Sequence, residues 1–120
     1  MAGRDRILLW IGIVTMVATG WVHLVDAPDS YSEAAYKGAL FHANALGCLV
    51  VVIGLFRNLA WSWNLGLVIA LGSIAAYVAS RSIGLPGIPP EPDEWLEPLG
   101  VVAVSAEALF TASYFLRSKR

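Results

Sequence analysis

The chain has 120 residues, 58% of them hydrophobic and 14% charged, and a mean hydropathy of +0.66, which is too apolar for a water-soluble domain of this length. A net charge of -1 excludes the basic field that nucleic-acid binding needs, so lipid, other membrane proteins and small molecules are the partners to expect. Its one cysteine, Cys48, rules out an internal disulfide and a metal cluster of cysteines alone, and its apolar surroundings mark it as a small packed residue.

Crossing a hydrocarbon layer about 30 Å thick takes roughly 20 apolar residues in a helix. Four windows qualify: 7–25, 36–56, 63–83 and 98–116. Hydrocarbon offers the backbone no water to bond, so runs of this length are expected to be helical. The first window follows a basic start and is similar to a signal peptide. Its apolar stretch is longer than a signal core and no A-x-A site follows, so it is expected to remain as the first span.

After it, "DAPDSYSE" supplies turn residues. Ser30 and Glu33 have the spacing of a capping box, which would start the second helix in the interface. The connector "RNLAWSWN" is short and predicts an antiparallel hairpin of the second and third helices. The stretch "LPGIPPEPDEWLEP" holds most of the prolines, predicting an extended, acidic outer loop over 85–97, with Pro98 in the first turn of the fourth helix. That acidic run is expected to be a solvated surface. The fold class expected is all-α: one domain over 1–120, an integral membrane antiparallel four-helix bundle.

Charge gives the orientation. Arg4, Arg6, Arg57, Arg117, Lys119 and Arg120 fall on one side of four crossings; Lys37 and Arg81 fall on the other, among Asp26, Asp29, Glu33, Glu91, Asp93, Glu94 and Glu97. The positive-inside rule places both termini in the cytoplasm, in a bacterial inner membrane. Trp21, Tyr31, Tyr36 and Trp95 then mark the outer interface, and Trp10, Trp61 and Trp63 the inner one.

Polar residues inside spans are costly and usually face the bundle interior. At helical spacing the first helix presents Gly12, Thr15, Thr19 and His23, and the second Lys37, Phe41, Asn44 and Cys48 with His42 beside them. The third presents Gly66, Ala70, Ser73, Tyr77, Ser80 with Arg81, and Gly84; the fourth Gly100, Ala103, Glu107, Thr111 and Tyr114. Close helix packing explains most of these stripes. Glu107 is harder to explain that way, because it lies about 14 Å into its segment, near the bilayer centre. His42, about 9 Å below Tyr36, is placed to meet it. His42, Asn44, Tyr77, Arg81 and Glu107 are therefore the expected buried polar cluster, in which Glu107 stays protonated unless Arg81 or a protonated histidine pairs with it. Arg81 can instead reach the interface and pair with Glu97 or Glu94.

A second arrangement joins His23, His42 and Glu107 as ligands of copper, zinc or iron, or the two histidines as axial ligands of a haem. No local H-x-x-x-H or E-x-x-H spacing anchors it. The sequence also lacks a Ser/His/Asp constellation with nucleophile context, an H-E-x-x-H motif and a phosphate-binding glycine loop, so an enzyme is not the expected class.

His23 at the end of the first helix, "KGALFHANALG" on the second, "YVASRSIGLPG" closing the third and Glu107 in the fourth resemble an uncharacterised family of small bacterial four-helix integral membrane proteins. The resemblance covers most of the chain and rests on His23, Phe41, Asn44, Tyr77, Ser80, Arg81, Gly84 and Glu107. It implies an architecture and no activity. The function expected is that of an accessory subunit packed against a larger membrane complex, such as a respiratory or other redox assembly, or against itself. The alternative is a bundle whose own site, built from His23, His42, Arg81 and Glu107, takes a metal, haem, quinone or proton-coupled solute. Four helices leave little room for a transport pathway without oligomerisation.

Overall fold

The computed structural model describes residues 3–117. It is 84% helical, with α1 over Gly3–Glu33, α2 over Ala35–Phe56, α3 over Trp61–Ser82 and α4 over Pro98–Leu116, and a short 3-10 turn at Pro92–Glu94. All four α-helices are long and apolar enough to cross a membrane. Lys119 and Arg120 of the basic set lie outside the described residues.

The first helix is the largest departure from expectation. It does not stop at Val25: it runs 31 residues, through Pro28, to Glu33. "DAPDSYSE" is thus helix rather than turn, and Ser30 and Glu33 belong to the end of α1 instead of capping α2. Proline removes one intrahelical bond, but the face around it is used for packing. Ala27 is fully buried and Ser30 nearly so, and the Tyr31 ring lies so close to Gly38 of α2 that a Cβ there would come within 2.1 Å of Tyr31 Cγ. Tertiary contact keeps the helix going where local propensity favours a stop. The break is the single extended residue Ala34 (φ -164°, ψ 142°). At 1.5 Å per residue α1 is about 46 Å long, matching the 46 Å long axis of the molecule.

Between α2 and α3, Asn58 takes a left-handed φ of 57°, and the Leu59 amide returns to the Gly54 carbonyl at 2.9 Å. This tight closure lets the helices cross at Gly54, where a Cβ would lie 1.8 Å from Ser62 Oγ. Only glycine permits that approach.

The proline-rich loop is not extended. Gly84 (φ +88°) turns the chain out of α3, Leu85 and Ile88 form a small bridge about Gly87, and the Glu91 amide donates to the Ser80 carbonyl at 2.9 Å. Fixed proline φ angles are here used for consecutive turns that fold the loop back onto α3. Pro98 starts α4 as expected, with the Glu97 carboxylate as its cap, accepting from the Leu99 and Gly100 amides at 2.7 and 3.1 Å.

The helices form a ring: α1 packs against α2 and α4, and α3 against the same two. Half of the apolar window of α1 is buried but only 17% of that of α3, so α1 is the spine and α3 the most outward-facing helix. The core joins Ile13 and Met16 of α1, Cys48, Val51 and Leu55 of α2, Ala70 of α3 and Phe110 of α4. Phe110 sits over Gly66, where a Cβ would meet its ring at 2.3 Å. In lipid such contacts stabilise through dispersion and close approach, each atom pair contributing about 0.1–0.2 kcal/mol.

Candidate functional site

The residues expected to form one polar cluster divide into three groups. The first lies at the end of α3 and fixes the loop. The Arg81 guanidinium stacks on the Tyr77 ring, 3.9 Å from its centroid; its Nε donates to the Glu94 carbonyl at 3.1 Å and its Nη1 to Ser80 Oγ at 2.8 Å. The Tyr77 hydroxyl donates to the Trp95 carbonyl. A permanent cation is kept at this rim because a planar fork that stacks on an aromatic face can bind backbone as well as carboxylate. The expected ion pair with Glu97 or Glu94 is replaced by the backbone bond, and the Glu97 carboxylate is committed to the cap of α4.

The second group lies mid-bundle. Asn44 Nδ2 donates to Ser73 Oγ at 2.7 Å, linking α2 to α3, and Cys48 Sγ donates to Asn44 Oδ1 at 3.4 Å. Glu107 is 1% exposed and its Oε2 has no hydrogen-bond partner. The Cys48 thiol is within its electrostatic reach. Thr19 of α1, fully buried, likewise has an unpartnered Oγ1.

The third group holds the histidines, which take different neighbours. His42 is exposed, in the groove between α2 and α1, with Nδ1 at 3.0 Å from the Tyr31 hydroxyl. His23 packs on the Phe41 ring, centroids 4.8 Å apart, and its Nδ1 lies 2.8 Å from the Thr19 carbonyl, which requires that nitrogen to be the donor. Among the described residues no three His, Cys, Asp or Glu side chains are grouped to hold a metal ion. The set His23, His42 and Glu107 is therefore not assembled: His42 is exposed beside Tyr31 of α1, while Glu107 is enclosed.

Where α1 meets α2, Lys37 forms an ion pair with Glu33. The Glu91 carboxyl is held above its ordinary range, first by burial and then by the nearby Glu33 carboxylate, with Lys37 opposing. Three further contacts carry no signal in the sequence. Tyr31 serves both as lid on Gly38 and as partner of His42. The Tyr114 hydroxyl donates to Asn64 Oδ1 at 2.7 Å, joining α4 to the start of α3. Arg117 lies over the rings of Trp63 and Tyr114, at 5.1 and 4.8 Å from their centroids. The Tyr31–His42, Tyr114–Asn64 and Arg117–Trp63 contacts join different helices, which helical periodicity does not report.

Comparison with protein-family models, with curated proteins and with solved structures finds no match.

Proposed function

We propose that the protein is a multi-pass accessory subunit of the bacterial inner membrane, an antiparallel bundle with both termini cytoplasmic, which packs against a larger membrane complex through the outward face of α3. The observation that carries this reading is Gly72. A Cβ there would meet nothing within 4 Å, and Ala75 and Ala76 are exposed beside it. Small residues in a span serve to let another helix approach closely, and this set is not used within the bundle. The low burial of the α3 window supports the same face.

Contacts between helix ends support the antiparallel arrangement. Arg4 donates to the Leu116 carbonyl, the Tyr114 hydroxyl to Asn64, and the Tyr36 hydroxyl to the Pro86 carbonyl. Arg4, Arg6, Arg57 and Arg117 then collect at one end, which supports the cytoplasmic placement under the positive-inside rule.

The test is purification in mild detergent followed by native mass spectrometry. Stoichiometric recovery with a larger membrane protein is expected. Migration alone, or only with copies of itself, overturns the reading.

A further inference from the structure

We propose that the groove between α1 and α2 binds an isoprenoid quinone, its ring held between His42 and Trp21 and its tail lying along the groove. The groove has a volume of about 440 Å³. It involves neither α3 nor Glu107, so it stands whether or not the chain has a protein partner. Its shape follows from residue size. Gly20 brings α1 so near α2 that a Cβ there would lie 2.9 Å from Cys48 Cβ and 3.7 Å from the Ala45 carbonyl oxygen. Gly20 and Ala45 therefore make a shallow floor, and the exposed side chains of Trp21 and Leu24 on α1 and Leu46 and Leu49 on α2 stand up as walls. Along α2 the lining runs from His42 to Val52, about 15 Å.

The polar groups free along it are two donors. A phenol is a stronger acid than a neutral imidazole N–H, so the Tyr31 hydroxyl donates to His42 Nδ1 at 3.0 Å. That fixes Nε2 as the N–H of the ring. The second donor is the Trp21 indole N–H. Among the described residues neither N–H has a hydrogen-bond partner, whereas the Cys48 thiol in the same lining is given to Asn44. Helix register relates the two donors. His23 stacks on Phe41 and Gly20 faces Cys48, so Trp21 lies on the facing helix about one turn from His42 and further into the bilayer, below the interface level expected of it. His42 is itself about 9 Å below Tyr36. At such depth hydrocarbon does not satisfy an N–H, and each one left unmet costs about 1–3 kcal/mol.

These features select the occupant. A hydrocarbon chain alone leaves both N–H groups unmet. A phospholipid keeps its phosphate and ester oxygens at the interface, above His42, and no lysine or arginine lines the groove to draw them down. A sterol or long-chain alcohol brings one oxygen, together with a donor that finds no side-chain acceptor here. A quinone ring is uncharged, carries carbonyl acceptors at opposite edges and no N–H, and continues into an apolar tail. It matches an apolar trough with one N–H on each facing wall.

Photolabelling tests this on the full chain in phosphatidylcholine nanodiscs, with an azido naphthoquinone bearing a short isoprenoid tail as the probe. Adducts are expected on segments 17–24 and 42–52, saturable and displaced by the parent quinone. His42→Phe and Trp21→Phe keep an aromatic ring but remove a donor, and each should weaken binding about tenfold, the equivalent of one hydrogen bond. Ala45→Phe fills the floor and should abolish the adducts with helicity unchanged. Infrared difference spectra supply a second readout: the bound carbonyl stretch lies below that of the free quinone and moves back towards it in His42→Phe. Labelling spread evenly over all four helices overturns the proposal. So does groove labelling whose affinity and carbonyl frequency His42→Phe leaves unchanged, or which added phosphatidylethanolamine displaces as well as the quinone does.

Discussion

Gly100 of α4 is the floor on which Arg81 of α3 rests: a Cβ at Gly100 would lie 2.9 Å from Arg81 Nη2 and equally close to Tyr77 Cε2. The stacked cation, the loop bonds and the cap of α4 therefore depend on one missing methyl group. Arg81→Lys keeps the charge but loses the planar fork and the stack. It is expected to cost about 1–3 kcal/mol and to release the 85–97 loop, read as faster hydrogen exchange at the Glu91 amide. Unchanged exchange would show that the fork is dispensable.

The crossing of α2 and α3 gives a sharper steric test. Gly54→Ala drives a methyl into Ser62 Oγ, and overpacking of this kind costs about 1–3 kcal/mol. Ser62 is fully buried with an unpartnered hydroxyl, so adding Ser62→Gly to Gly54→Ala should restore much of the loss in an unfolding titration in mixed micelles. Additive losses would place the strain elsewhere.

Asn44 and Ser73 form a side-chain bond between neighbouring helices. Such bonds in lipid contribute about 0.6 kcal/mol, with about 1.7 kcal/mol as an upper bound. A double-mutant cycle of Asn44→Ala and Ser73→Ala should return a coupling energy in that range, and a coupling of zero would remove the bond as a determinant of register.

Glu91 predicts a pH dependence of the loop. Its carboxyl titrates above its ordinary value of 4.5 when the loop is docked, through burial and Glu33. The docked state thus holds the proton more tightly than the undocked one. The resulting stabilisation is complete below 4.5 and is lost as pH rises through the higher docked value. Exchange protection of the Glu91 amide, corrected for intrinsic rate, should fall over that interval, and Glu91→Gln should flatten the profile.

For the outward face of α3, Gly72→Leu separates folding from association. Open space surrounds Gly72, so stability of the isolated bundle should change by no more than about 0.5 kcal/mol, while recovery with a larger complex should be lost. Equal loss of both would show that the face belongs to the bundle.

Helices α2, α3 and α4 lie within two residues of the windows read from hydropathy, because a span long enough to cross hydrocarbon has little freedom in where it ends. The end of α1 was hidden. Pro28, Asp29 and Ser30 favour a turn locally, and only the packing of Ala27, Ser30 and Tyr31 overrides them. The partner of Arg81 was hidden for a different reason: backbone carbonyls are present at every position, so a bond to that of Glu94 leaves no mark on residue type. Glu107 stood out because a mid-span acid is rare, and it is enclosed. His42 sits beside the inward stripe of α2, where an offset of one residue turns a side chain by about 100°, and it is exposed in the groove beside Tyr31 of α1.

The ring order bears on biogenesis. Since α1 packs against both α2 and α4, a chain that has inserted three helices still has its spine open along one flank. The bundle closes only when the fourth arrives and the Leu116 carbonyl meets Arg4. The earliest helix made must therefore wait for the latest. A nascent chain stalled before α4 would present an unfinished seam to quality-control proteases in the bilayer.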